Sequence, residues 1–413
     1  MIFYMHYLPI EKNATWGPLR GGWVREVNVP TSEINWDIMQ RYEEWRSTRK
    51  NDSVYRGKEA TDLLNRQKHQ LLVSGEQRAL AGFTTPDAAL NECFSHTIPP
   101  LRFMGPQRAK TPEQRGAGRF DDTPENASHM LGNALRLMGA LTVGFVELDE
   151  NRRKLIYRSE EKKDRVIDFE DLAVGYEEER RLVIPYQAKW VIVYSIRMSN
   201  EGLAQAPSLL SRASTMQAYT RLYTIYNQLH ELIRALGYHS YGATNMNGFG
   251  PYAAFAELGG LGESSRLDCI ITPEYGPMVR LAAMATDLPL APTRPISFGV
   301  KEYCRKCRIC AAACPVRSIS FDEEPTWQVR GEWSNPGHKA YFRDSLACRD
   351  YFFRSGSNCG ICFSRCPFSE PDREKYMDFV SHLRDAIPDK KPPRRYDPKA
   401  WWASNNHQPL GLE

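Results

Sequence analysis

Eight of the ten cysteines fall between positions 304 and 366, at spacings that suit ligands. In the run Cys304-Arg-Lys-Cys307-Arg-Ile-Cys310-Ala-Ala-Ala-Cys314-Pro315, three thiolates can wrap one face of an iron–sulfur cubane. The proline then turns the chain and sends the fourth thiolate to another cluster. A looser second motif takes Cys348 from a distance and ends Cys359-Gly-Ile-Cys362-Phe-Ser-Arg-Cys366-Pro367. This pairing logic puts one [4Fe–4S] cluster on Cys304, Cys307, Cys310 and Cys366, and a second on Cys314, Cys348, Cys359 and Cys362. A zinc ribbon or reduced structural thiols would compete, but zinc sites rarely carry two such proline-terminated runs. Cys93 and Cys269 stand apart and read as buried free thiols.

Two clusters imply one-electron delivery to something else, and most of the 413 residues remain to hold it. With 54 Lys+Arg against 50 Asp+Glu the net charge is +4, which disfavours a protein that binds by neutralising phosphates. No run of about 18 uncharged apolar residues exists, so no spanning helix is expected. The N-terminus shows no basic region followed by an apolar one, so the chain as written carries no export signal.

The positioning elements can be read in outline. Residues 1–114 form an aromatic-rich opening (Trp16, Trp23, Trp36, Trp45) with one clear helix near Asp62–Leu72, and Thr111–Arg119 reads as a linker. Residues 115–298 alternate helices and strands, which suggests an α/β unit. In it, Val143–Leu148 and Trp190–Ile196 read as strands, Asn151–Arg181 (within a charged insertion at about 150–182) as a surface excursion, and Ser211–Leu236 as a long helix stopped by Gly237. Met278–Ala285 reads as a short helix or strand. The cysteine region spans 299–370 and an extension 371–413, with basic Lys390–Arg395 and Trp401-Trp402. The basic run reads as a solvated charge run, with docking to a membrane-bound partner or anionic lipid as the alternative. Gly259-Gly-Leu-Gly262 has the wrong spacing for a dinucleotide turn. His129 is half of a cobalt-binding D-x-H-x-x-G motif, but Ala127 replaces its aspartate, so a surface or cap histidine is the simpler reading. Tyr219, Tyr223 and Tyr226 form a helical stripe of the kind that usually packs a core.

Several stretches resemble the corrinoid iron–sulfur reductive dehalogenases: Cys269-Ile-Ile-Thr-Pro-Glu-Tyr-Gly-Pro-Met-Val-Arg280, Pro295-Ile-Ser-Phe-Gly-Val300, the helix around Tyr219, Asn247-Gly-Phe-Gly250, Gly260-Leu-Gly262 and the uneven second cysteine motif. The resemblance covers about residues 125–370, and the family's twin-arginine signal is missing, as expected of a mature chain. It implies an α/β (α+β) architecture, with a nitroreductase-like cobalamin-binding domain fused to a ferredoxin-like domain holding two [4Fe–4S] clusters. Cobalamin would be bound base-off, without a protein ligand to cobalt. The implied reaction is R–Cl + 2e⁻ + H⁺ → R–H + Cl⁻, in organohalide respiration.

The resemblance selects Tyr219 as proton donor, with Asn247 and Arg280 beside it and Thr215 and Phe352 lining the pocket. A phenol holds its proton at neutral pH and becomes a better acid when a cation stabilises the phenolate, which Arg280 can do. Ser264, Ser265 and Arg266 could cradle the cofactor's phosphate, or the segment could be a tight turn with a surface arginine. The N-terminal aromatics and Phe352 suggest a closed apolar cavity and a chlorinated alkane of one or two carbons. The family also implies an electron donor from a respiratory chain, a small membrane anchor protein, a peripheral location on the extracytoplasmic face of the cytoplasmic membrane, no nucleic-acid partner and room for a homodimer. Two rivals stand beside it: an epoxyqueuosine-reductase-like tRNA-modifying enzyme, and a corrinoid-reducing electron-transfer protein.

Overall fold

The computed structural model describes residues 22–370 and 372–383. Trp16, the Lys390–Arg395 run and Trp401-Trp402 lie outside them. The organising element is a four-stranded sheet in the order Val143–Glu147, Trp190–Arg197, Val279–Thr286, Ser240–Tyr241. Every pairing in it is antiparallel. The alternation of helices and strands had pointed to an α/β unit, but alternation does not set strand direction, and this sheet is the α+β kind.

Trp190–Arg197 reads as an almost unbroken apolar run because it is covered on both faces. Ile192, Tyr194 and Ile196 pack into a core with the helices Pro124–Met138 and Leu209–Leu236. Val191 and Val193 point the other way, into a second core with Phe249, Phe255 and Leu258. The period of two along the strand thus distributes one segment between two cores.

The long helix, Leu209–Leu236, begins at a reciprocal cap between Ser208 and Ser211 and ends at Gly237, whose φ of +91° suits a residue without Cβ. Met278–Ala285 resolves as the strand Val279–Thr286. Asn151–Arg181 is not a surface excursion: Arg181–Pro185 pairs with Val166–Glu170 on one side and Tyr176–Glu177 on the other, in a small sheet whose Ile167 and Leu182 are buried. Thr111–Arg119 is a linker in composition but lies along the end of the long helix, with Arg115 donating to the Ala235 carbonyl at 2.7 Å. Besides Lys58–Gln77, the N-terminal region contributes the helix Thr85–His96, which packs against the long helix. No helix among the described residues is long and apolar enough to cross a membrane.

The sheet and the turn after Tyr252–Leu258 approach so closely that a Cβ on Gly144 would sit 2.3 Å from the Gly259 carbonyl oxygen. Because the obstacle is backbone, Gly144→Ala should destabilise the protein by about 1–3 kcal/mol. Thermal unfolding checks this, with a lowered midpoint expected.

Candidate active site

One face of the long helix carries Thr215, Tyr219, Tyr223, Tyr226 and His230, all buried. The rings of Tyr219 and Tyr223 stack at 5.8 Å, and Tyr226 meets Tyr223 edge-on. The packing expected of such a stripe is therefore present, but the hydroxyls separate the tyrosines. The Tyr226 hydroxyl accepts from the Ala243 N–H, and that of Tyr223 from the Asn247 N–H at 3.0 Å. Burial raises both phenols. It brings the His230 imidazole down to about 3.

Tyr219 differs. Its hydroxyl accepts from Asn247 Nδ2 at 3.2 Å and from Arg49 Nη2 at 3.3 Å, and the Arg280 guanidinium lies 5.1 Å from its ring centre. Burial pushes this phenol up, but the charges of Arg280 and then Arg49, with the Asn247 hydrogen bond, bring it down to about 7. Asn247 is held at φ +64°, a left-handed conformation that asparagine tolerates, in a turn where Asn245 is bonded to Glu44 and Lys50. The structure thus brings Tyr219, Asn247 and Arg280 together and adds Arg49, which sequence reasoning missed. Arg49 sits on a four-residue helix, Thr48–Asn51, with no motif to mark it.

The eight clustered cysteines separate into two quartets. Cys304, Cys307, Cys310 and Cys366 line one small cavity. Cys314, Cys348, Cys359 and Cys362 line part of a large one, of about 580 Å³. Burial pushes the Cys304 and Cys362 thiols up to about 12, so bound iron rather than the protein would make them thiolates. Cys93 is exposed, not buried, while Cys269 lies between the large cavity and a second one of about 240 Å³.

Arg266 corrects both readings of its segment. It is 1% exposed, and its guanidinium is spent on carbonyls: Cys304 at 2.7 Å, Cys307 at 3.1 Å, Ser320 at 2.8 Å and Asp322 at 2.6 Å. It also stacks on Tyr341. It is a clamp on the first cysteine loop, neither a surface arginine nor a phosphate cradle. Ser264 donates to Glu257 and Ser265 to the Cys269 carbonyl, while both line the smaller cavity. Buried Glu263 accepts from the Phe298 and Gly299 N–H groups at the start of Val300–Lys306, the helix carrying Cys304, and burial pushes it up to about 7.

Thr215, Tyr219, Arg280 and Phe352 line the large cavity. Among the described residues, the N-terminal region contributes Ser47, Thr48, Arg49 and Lys68 to it, and no tryptophan. The expected closed apolar pocket is instead rich in cations: the described lining includes six Lys or Arg and no Asp or Glu. His129 lies on the Pro124–Met138 helix and lines neither cavity.

A family model described as reductive dehalogenase subunit matches residues 99–290, and one described as 4Fe-4S dicluster domain matches residues 303–369. The chain is 34% identical over 262 residues to the tetrachloroethene reductive dehalogenase of Sulfurospirillum multivorans, covering 60% of this chain and 51% of that protein. It is 26% identical over 416 residues to the chloroethene reductive dehalogenase of Dehalococcoides mccartyi (strain VS), covering 84% and 77%. The structure of the catabolic reductive dehalogenase NpRdhA superposes with a TM-score of 0.61 at 21% identity, over 88% of this chain and 47% of that one, a likeness of fold. The chain spans about half the length of the tetrachloroethene reductive dehalogenases it matches.

The clamp makes a prediction. Arg266→Ala leaves the carbonyls around Cys304 and Cys307 without their donor, and supporting contacts of this kind are worth about 10–100-fold in metal affinity. Iron analysis and electron paramagnetic resonance of the anaerobically purified variant should show loss from the Cys304 quartet with the other retained. Arg266→Lys should recover part of it.

Proposed function

The chain belongs to the corrinoid iron–sulfur reductive dehalogenase family, and from that membership we propose that it replaces a carbon–halogen bond of an organohalide by C–H. The observation that carries this reading is one cavity lined by both the Cys314 quartet and Tyr219, a phenol brought to about 7 between two arginines. Electrons and a proton can reach the same cavity. A bound corrinoid would supply there a strongly reducing metal centre able to break the carbon–halogen bond.

The residues present fit such a group. The cavity of about 580 Å³ adjoins the one of about 240 Å³ at Cys269, giving room for a ring and a polar tail. Thr31, Ser32, Ser264, Ser265 and Lys301 of the smaller cavity would hold the tail. The quartets Cys304, Cys307, Cys310, Cys366 and Cys314, Cys348, Cys359, Cys362 would hold one [4Fe–4S] cluster each, the second being nearer the reaction.

The chain's own residues then handle the proton. Tyr219 donates it to the carbon that loses halogen, and the phenolate left behind is stabilised by Arg280 and Arg49. Asn247 holds the hydroxyl in place. Tyr223 and Tyr226, with raised phenols, keep theirs. The respiratory electron donor, the small membrane anchor and the extracytoplasmic location are proposed from the family. The sequence leans toward chlorinated alkanes of one or two carbons, and the relatives are named for chloroethenes.

Tyr219→Phe in the cofactor-loaded enzyme should lower chloride release by about 10²–10⁴-fold, since only the acid is removed. Clusters and corrinoid should be retained. A variant turning over at the wild-type rate would refute the assignment. The donor works protonated, so the rate should be constant below about pH 7 and fall as pH rises through it. Arg49→Gln removes one cation, raises the phenol and should move that falling limb to higher pH.

A further inference from the structure

Of the six cations on the large cavity, four have partners. Arg49 and Arg280 face Tyr219, Arg343 donates to the Leu267 carbonyl, and Arg349 bonds Asp52, which Arg56 also holds. Lys68 and Arg212 make no hydrogen bond or ion pair with any described residue. The carboxylate nearest Arg212 in electrostatic effect, Glu92, is bonded to His96 and Asn91. Burial and the charges of Arg212 and Arg349 bring the Lys68 ammonium down to about 8. Like charges gathered in a half-buried corner repel one another, and an anion placed among them would relieve that repulsion.

Three elements build this corner: Lys68 from Lys58–Gln77, Arg212 from the long helix and Arg349 from Ser345–Arg354. The Arg349 guanidinium lies 5.9 Å from the Phe352 ring centre, so an apolar ring borders the cations. Arg212 precedes Tyr219 by two turns on the same helix face, about 10.5 Å along the axis. A molecule of one or two carbons held at Tyr219 does not bridge that offset, whereas an aromatic ring with an acidic substituent spans much of it.

Resting on the dehalogenase reading, we propose that Lys68, Arg212 and Arg349 form an anion-binding corner that seats the carboxylate of a halogenated aromatic acid. Phe352 lies beside the ring, and the carbon–halogen bond is turned toward Tyr219. Arginine and lysine donate charge-assisted hydrogen bonds to the carboxylate; buried Asp52 is shared between Arg349 and Arg56, and no carboxylate among the described residues bonds Lys68 or Arg212.

Calorimetric titration of the anaerobic, cofactor-loaded protein with benzoate and benzamide tests this, because the probes share a shape and differ in charge. Benzoate should bind about tenfold or more tightly than benzamide, and Lys68→Gln with Arg212→Gln should remove that preference. Equal binding of the two probes by the wild-type protein overturns the proposal without any variant. Displacement of benzoate by chloride at the concentration at which 3-chlorobenzoate displaces it would make the corner a halide site and overturn the carboxylate assignment. Benzoate carries no halogen, so its binding does not depend on turnover. Charge-selective binding without halide release from any organohalide supports the corner and refutes the dehalogenase reading. Halide release from neutral substrates with no charge-selective binding does the reverse.

Discussion

A phenol buried between two guanidinium groups is the constraint on which the site depends. Desolvation alone would leave Tyr219 a poor acid, as it does Tyr223 and Tyr226 on the same helix face. Arg280 from the sheet, Arg49 from the N-terminal region and the Asn247 amide reverse that for Tyr219 only. Three segments far apart in the chain must converge to within hydrogen-bond or ring-contact distance of one side chain. The double-sided core around Trp190–Arg197 supplies the rigidity, since the long helix packs on one face of the sheet and Arg280 enters from the neighbouring strand.

The cysteine region is tied to this frame by buried polar groups. Arg266 gathers carbonyls from the Cys304 loop and from Ser320 and Asp322. Glu263 holds the start of the helix that bears Cys304. Arg266 satisfies its guanidinium with backbone carbonyls, which is how a buried ionic group is made tolerable, and Glu263 accepts backbone N–H groups through Oε1. On the other side, the Cys314 quartet opens onto the cavity that Tyr219 also lines. The Cys314 quartet and Tyr219 therefore share one cavity.

What was legible in the sequence was local. Short cysteine spacings declare cluster ligation because neighbouring residues form the site. The long helix could be read from its apolar stripe and Gly237, and Trp190–Ile196 from its β-branched run. Strand direction was not legible, because helix–strand alternation is compatible with either sense. Arg49 and Arg343 gave no local signal, since their roles come from partners distant in sequence. Arg266 is the clearest case: a Gly-Glu-Ser-Ser-Arg run reads as a surface turn, and only contacts with residues 38 to 56 positions away reveal a buried clamp.

The account's central claim is that the Tyr219 phenol delivers the proton with an acidity set by its two arginines. Replacing Tyr219 alone with 3-fluorotyrosine lowers the intrinsic pKa of the phenol and leaves its size and hydrogen-bonding groups nearly unchanged. The pH dependence of halide release in the cofactor-loaded enzyme is the measurement. The falling limb near pH 7 should move to lower pH. A limb that stays in place would mean that another group carries the proton.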